Sequence, residues 1–399
     1  MILLYQFGII CYRFLVLVAS FFSKKADYFY EGQKTVMANL PNGYEHKIIW
    51  VHCASLGEFE LVKPLLKQLK TNFKENKILL TFFSPSGYRH AESENLYDFK
   101  SYLPLDSTKN AKEFIHKTNP KIAIFIKNEC WFNYLLQLQK HNITTVFAVM
   151  KLRPNHYFFK WYGSWQLSIL KKVSHFLVQD AISENLLRQH NINQTKICGD
   201  SRYDRVIENA KNKKPIPFIK EFKGNNKLIV CGSTYTNDSE LILQCSKINT
   251  DIKFIIAPHQ IELSEKLKHE GVLYSQLNNK SCHNNNILII DNIGMLSQIY
   301  QYADLAYIGG GFSKKGLHNI LEPMAFGIPI AFGPNFKKND EAIETLDYGI
   351  AHCIKSIDDF NRFVKIPSAS IKTKTILEFC EKRKGATQII FDDLKSFLQ

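Results

Sequence analysis

The chain has no C-x-x-C pair, no zinc-type Cys/His spacing and no arginine-rich tract. The first two absences exclude the common structural zinc modules and thioredoxin-like redox chemistry. Lack of an arginine tract and of finger spacing argues against nucleic acid as a partner. There is also no Walker loop, no G-x-S-x-G elbow and no complete G-x-G-x-x-G. Metal-independent group transfer therefore fits better than phosphate hydrolysis or hydride transfer, and no cofactor is expected. Nine cysteines occur, at 11, 53, 130, 198, 231, 245, 282, 353 and 380. The number is odd and several lie beside apolar runs, which reads as free thiols in a reducing compartment. No internal repeat or low-complexity tract is present.

At 399 residues with 45% hydrophobic side chains, the chain is too long for one core, and two domains are expected. The net charge of +14 implies an anionic partner, either a phosphorylated substrate or an acidic membrane surface.

Met1–Phe22 is apolar apart from Arg13 and is followed by Lys24-Lys25. It lacks the basic start and small-residue cleavage site of a signal peptide. A helix lying in a membrane surface, or a shallow span, fits it better than a helix packed on the protein's own body. From Lys47 onward, short apolar runs alternate with helical stretches. Expected strands are Ile48–His52, Ile78–Phe82, Ile122–Ile126, Thr145–Val149 and His175–Val178, then Lys227–Cys231, Ile252–Ala257, Ile287–Ile290, Leu305–Ile308 and Ile328–Phe332. This alternation predicts α/β architecture, with two doubly wound, Rossmann-like parallel sheets facing a cleft. Lys211–Lys223 reads as the linker. The expected divisions are a membrane-associating helix at 1–22, a first Rossmann-like domain at 23–206, a second at 207–370, and a C-terminal helix at 371–399, broken near Gly385 and packing back on the first domain.

The stretch Tyr307–Pro323, YIGGGFSKKGLHNILEP, reads as strand, glycine turn and helix start. Such a turn can offer backbone N–H groups to a phosphate, and Glu322, one turn into the helix, could accept ribose hydroxyls. Ser55-Leu56-Gly57-Glu58 follows the first strand, at the carboxyl edge where open α/β sheets place their sites. By itself a glutamate at a helix start often only complements the helix dipole. Ser84 and Ser86 at the next strand end could bind an anion or cap a helix. Lys127 and Glu129 beside Trp131 end the third strand, and Arg153 and Lys160 add cations.

Taken together, WVHCASLGEFE at 50–60, LPLD at 103–106, GDSRYDRV at 199–206, GSTYTNDSE at 232–240, DNIGMLSQIYQYADLAYIGGGF at 291–312 and GLHNILEP at 316–323 resemble the 3-deoxy-D-manno-octulosonic acid (Kdo) transferases of lipopolysaccharide biosynthesis, along essentially the whole chain. The resemblance implies a GT-B fold and transfer of Kdo, with inversion, from CMP-Kdo to the 6′-hydroxyl of the tetraacylated, bisphosphorylated lipid A precursor. It implies action at the cytoplasmic side of the inner membrane without a metal. Glu58 would be the general base. Pro258, His259, Gly294, Met295, Leu296, Gly309, Gly310, Gly311, Asn319 and Glu322 would bind the donor. Ser55, Gly57, Ser84, Ser86, Lys127, Glu129, Arg153 and Arg202 would contact the acceptor or the transition state.

Two departures from the family pattern stand out. Lys127 occupies a position that is acidic in many members, and Pro258-His259-Gln260 stands where many carry Pro-Arg-His. Other readings share parts of the pattern: a GT-B enzyme using a UDP-sugar, a nucleotide-sugar epimerase, or a non-catalytic lipid-binding relative. The S-x-G-E segment argues against the first. The apolar first helix argues against the second. The joint presence of Glu58, Asn319 and Glu322 argues against the third.

Overall fold

The computed structural model describes residues 1–91, 95–278, 285–314, 316–367 and 372–398. Cys282 and Ile371, which figure in the sequence expectations, lie outside them. The chain divides into two compact units, 1–204 with 384–399, and 205–383.

The first unit holds a seven-stranded sheet in the order β3-β2-β1-β4-β5-β6-β7. Its strands are β1 Lys47–Cys53, β2 Asn76–Phe82, β3 Phe99–Tyr102, β4 Ile122–Ile126, β5 Thr144–Met150, β6 His175–Val178 and β7 Thr195–Ile197. All pairings are parallel. A parallel sheet is covered on both faces, so its strands read as apolar runs without alternation. Trp50, Leu79, Phe125, Phe147 and Phe176 fill one side. Ile49, Val51, Leu80, Ile124 and Val146 fill the other, with Ile390, Phe391 and Leu394 of the last helix, Ala386–Leu398.

The second unit repeats the plan with β8 Lys227–Thr234, β9 Ile252–Pro258, β10 Val272–Leu273, β11 Ile287–Ile289, β12 Leu305–Ile308, β13 Ile330–Phe332 and β14 Ala351–Cys353. Their order is β10-β11-β9-β8-β12-β13-β14. Strand order reverses between β1 and β4 in one sheet and between β8 and β12 in the other. These are the switch points beside which open α/β sheets hold ligands.

Several expected boundaries move. The units part at 204/205, within the helix Ser201–Lys211, so Lys211–Lys223 is no linker and belongs to the second unit. Helix Lys372–Glu381 also stays with the second unit; only the segment from Lys384 returns to the first. Gly385, at φ 108°, makes the break. Asp204 secures the return, its carboxylate accepting the N–H of Gly385 at 2.5 Å and of Thr387 at 2.7 Å. The eight described cysteines are free thiols, and five of them are buried.

The N-terminal helix, Ile2–Ser20, has two different sides. Leu3, Leu4, Phe7, Ile10, Phe14 and Leu15 are exposed. The other side packs on the first unit: the Tyr5 ring lies against Trp165, and Tyr12 stacks on Phe83. Tyr5 Oη donates to Asp106 Oδ2 at 2.5 Å, and Gln6 Nε2 to Asn133 Oδ1 at 2.8 Å. The helix is long and apolar enough to cross a membrane. It also has polar ties to buried groups of the first unit, and its outer face is bare.

Candidate active site

At the first switch point, β1 pairs with β4 with His52 opposite Phe125. Two residues further on each chain stand Ala54 and Lys127. Ser55 begins the helix Leu56–Asn72 in an extended conformation. Glu58, in its first turn, folds back so that its carboxylate accepts the N–H of Ala54 at 2.5 Å. Only 7% of Glu58 is exposed. Burial raises its pKa, opposed by the nearby Lys127 ammonium and by backbone N–H groups of Ala54 and Ser55. A buried carboxylate with a raised pKa is suited to taking a proton near neutral pH. A Cβ added at Gly57 would meet nothing nearer than Ser55 Oγ at 3.9 Å.

Lys127 adopts φ 63°, rare for a side-chain-bearing residue, with its N–H on Ala148 O at 2.9 Å. Asn128 pins the loop to the end of β5, its amide donating to Lys151 O at 2.7 Å and its carbonyl accepting from Lys151 N at 3.2 Å. Strained backbone held by its neighbours marks functional loops. Glu129 follows, its pKa pushed up to about 7 by burial and then by the Glu58 charge, with Lys127 acting in the opposite direction. The structure thus brings Glu58, Lys127 and Glu129 within electrostatic reach of one another. Arg153, half-buried, follows the end of the neighbouring β5.

Other expected contacts have different roles. Ser84 Oγ caps the helix Pro85–His90 by accepting Gly87 N–H at 3.1 Å, and Ser86 Oγ lies 3.0 Å from Ser84 Oγ. Ser84 N–H also donates to Ala54 O at 2.8 Å, so this turn braces the loop that carries Glu58. Arg202 is held by Asp200, Nε to Oδ2 at 2.8 Å and Nη2 to Oδ2 at 2.6 Å. Its guanidinium is thus ion-paired within the loop.

At the second switch point the glycine turn has a purpose the motif did not predict. Gly309 N–H donates to Gly232 O at 2.9 Å, and Gly310 N–H to the Asp238 carboxylate at 2.9 Å. Two of the three N–H groups expected to face a phosphate are thus consumed inside the protein. The glycines are needed for close approach: a Cβ at Gly309 would fall 2.3 Å from Ser233 O, and one at Gly311 2.4 Å from Gly333 N, while Gly310 has φ +91°. Asp238, buried, also accepts from Tyr307 Oη at 2.8 Å and Tyr235 N–H at 2.9 Å. It organises the whole turn.

Around this turn, the His259 and His318 rings have centroids 4.4 Å apart, and Tyr235 Oη is 3.1 Å from His318 Nε2. His259 N–H donates to Thr234 O at 3.0 Å, so Pro258 and His259 lie beside the end of β8. Gly294-Met295-Leu296 approaches the same strand, since a Cβ at Gly232 would meet Leu296 Cδ2 at 3.0 Å. Glu322 lies in a single helical turn, Leu321–Met324, shorter than the motif implied. Asn319 Nδ2 donates to Glu322 Oε1 at 3.3 Å. Burial raises the Glu322 pKa, against the Arg205 charge first and the Asn319 amide second. Arg205, Asp238 and Tyr235 were not singled out from sequence; Asp238 reaches Tyr307 and Gly310, 69 and 72 residues away, besides its local bond from Tyr235 N–H. Among the described residues no group of three or more His, Cys, Asp or Glu could hold a metal ion.

Residues 28–205 match the family described as 3-deoxy-D-manno-octulosonic-acid transferase (kdotransferase). A 3-deoxy-D-manno-octulosonic acid transferase of Aquifex aeolicus is 30% identical over 75% of this chain and 79% of that one. A bifunctional glycosyltransferase/methyltransferase of Fusobacterium nucleatum is 26% identical over 80% of this chain, but the chain spans only 52% of that protein. In fold, a UDP-GlcNAc 2-epimerase of Neisseria meningitidis superposes with a TM-score of 0.60 at 14% identity, over 88% of this chain and 100% of the other. The chain belongs to the Kdo transferase family of glycosyltransferases, with two parallel-sheet α/β units of GT-B type.

Proposed function

We propose that this chain transfers Kdo from CMP-Kdo to the 6′-hydroxyl of the tetraacylated, bisphosphorylated precursor of lipid A, with inversion and without a metal ion. The observation that carries the reading is Glu58. It is a buried carboxylate with a raised pKa at the first unit's switch point, held in place by Ala54 N–H. Its carboxylate takes the acceptor's hydroxyl proton as the acceptor's oxygen bonds to C2 of Kdo. The bond from C2 to the phosphate oxygen breaks, and CMP leaves with the electron pair. Lys127 favours the ionised form of Glu58 before the reaction. Donor recognition is assigned to the second unit, with Asn319 and Glu322 toward the ribose, Gly294–Leu296 toward the base, and His259 beside the glycine turn.

The exposed apolar face of the N-terminal helix and the net charge of +14 support work at an anionic membrane surface, on the cytoplasmic side of the inner membrane. Purified protein should move labelled Kdo from CMP-Kdo to the tetraacyl disaccharide bisphosphate. Transfer from UDP-sugars alone would replace this reading with that of another GT-B enzyme.

A further inference from the structure

The N-terminal helix has a second use besides its bare face. Its inner residues Tyr5, Ile9 and Tyr12 form one wall of a cavity of about 580 Å³. Phe83, Trp131 and Tyr157 line it from the body of the first unit. This volume is in the range of small-ligand sites, about 300–1,000 Å³. The helix is locked over the cavity, because withdrawing it would strip the fully buried Asp106 of the Tyr5 hydroxyl. Asp106 also accepts the backbone N–H groups of Asn133 and Tyr134, each at 3.2 Å. The helical wall of the cavity is therefore fixed in place and the space opens to the surface.

Its polarity is uneven. Most of the lining is aromatic or aliphatic, and its polar side chains are Asn128 and Glu129, on the loop that carries Lys127, with His156 and Gln166. Glu129 responds to the charge of Glu58, so this lining residue adjoins the proposed base. The opposite side of the helix wall presents Leu3, Phe7 and Ile10 to the surroundings, each more than 60% exposed. The helix thus stands between this apolar outer face and the cavity that Glu129 also lines.

Resting on the function proposed above, we propose that the cavity takes one acyl chain of the acceptor. The helix is then a wall of the lipid site as well as an anchor. Occupancy by one chain orients the sugar hydroxyl toward Glu58 and makes the enzyme sensitive to acylation.

Filling the cavity tests this. Ile9→Trp or Tyr12→Trp places a larger ring into it, whereas Ile10→Trp adds the same ring on the outer face. The KM for the tetraacyl disaccharide bisphosphate should rise at least about tenfold in the inner variants, the equivalent of about two buried methylenes, and not in Ile10→Trp. The KM for the fully deacylated disaccharide bisphosphate and CMP-Kdo binding should stay unchanged. An acceptor carrying a photoreactive group on an acyl chain should cross-link to Phe83, Trp131 or Tyr157, and Ile9→Trp should abolish those links. Cross-links confined to Leu3, Phe7 and Ile10, or an unchanged ratio of the two KM values while transfer persists, would overturn this proposal alone. If the wild-type protein transfers Kdo to neither acceptor, the proposed function falls and takes this inference with it.

Discussion

The indole N–H of Trp131 donates to Nε2 of His52 at 3.0 Å, so the imidazole proton resides on Nδ1, which lies 2.9 Å from Thr81 Oγ1. A second proton would turn Nε2 from acceptor to donor and set it against the indole. His52 is fully buried, and its pKa is pushed down to about 3 from the ordinary 6.5 by burial. Between those values the unfolded chain binds a proton that the folded chain refuses. Stability from His52 is complete above pH 6.5 and declines as the pH falls toward 3. Asp106, pushed up to about 6 by burial, acts in the opposite sense from its ordinary 3.8 upward. The readout is therefore a signed difference: between about pH 3 and 6.5 the unfolding free energy of wild type should rise with pH by about 1.4 kcal/mol per pH unit, one proton, more than that of His52→Gln. Parallel pH profiles for the two proteins would refute a neutral His52.

Glu58→Gln keeps an oxygen for Ala54 N–H but cannot accept a proton. Turnover should fall by about 10²–10⁴ with folding and CMP-Kdo binding intact. Near wild-type turnover in a folded variant would remove Glu58 from the base role.

Lys127 favours the ionised form of Glu58, whose pKa burial raises. A base must be deprotonated to act, so removing the cation should shift the acid limb of kcat/KM to higher pH. The profile of Lys127→Ala checks this. A limb that stays in place, or moves to lower pH, would show that Lys127 does not tune Glu58.

Activity should persist in excess EDTA. Abolition by chelator with rescue by Mg²⁺ would contradict metal-independent transfer.

Deleting residues 1–23 should lower the stability of the first unit, because Asp106 loses the Tyr5 hydroxyl and Trp165 its aromatic cover. Tyr5→Phe isolates the polar part, expected to cost about 1–3 kcal/mol. On acidic vesicles the full chain should float at both low and high salt, since burial of apolar surface is not screened. The deleted form should leave in high salt yet retain CMP-Kdo binding. Release of the full chain by salt alone would place the outer face of the helix outside the lipid.

Much of this architecture was legible because buried parallel strands are continuous apolar runs. β4, β6 and β12 occur at the expected residues. The four strands that sequence reading missed, β3, β7, β10 and β14, are the four sheet edges. Short, partly exposed edges carry no apolar run to recognise. The site was readable as motifs at strand ends, and Glu58 stands where its motif placed it. What the motifs concealed was competition for hydrogen bonds. Asp238, 72 residues before Gly310, takes the N–H that the glycine turn offered to a phosphate. Asp200 claims Arg202 in the same way. The membrane reading of the first helix missed Asp106, because that partner lies 101 residues beyond Tyr5.

The clasp of Asp204 on Gly385 and Thr387 has a consequence for biosynthesis. The helix Ala386–Leu398 supplies Ile390, Phe391 and Leu394 to the first unit's core. During translation that unit emerges first, yet part of one side of its sheet, the part that Ile390, Phe391 and Leu394 cover, stays open until the whole second unit has been made. At roughly 5–20 residues per second this delay is on the order of ten to forty seconds. The second unit, continuous in the chain from 205 to 383, can close its core in that interval. Pulse-labelled chains stopped at Arg383 should therefore resist protease over 205–383 while the first unit is still cut, reversing the usual order in which the amino-terminal domain folds first.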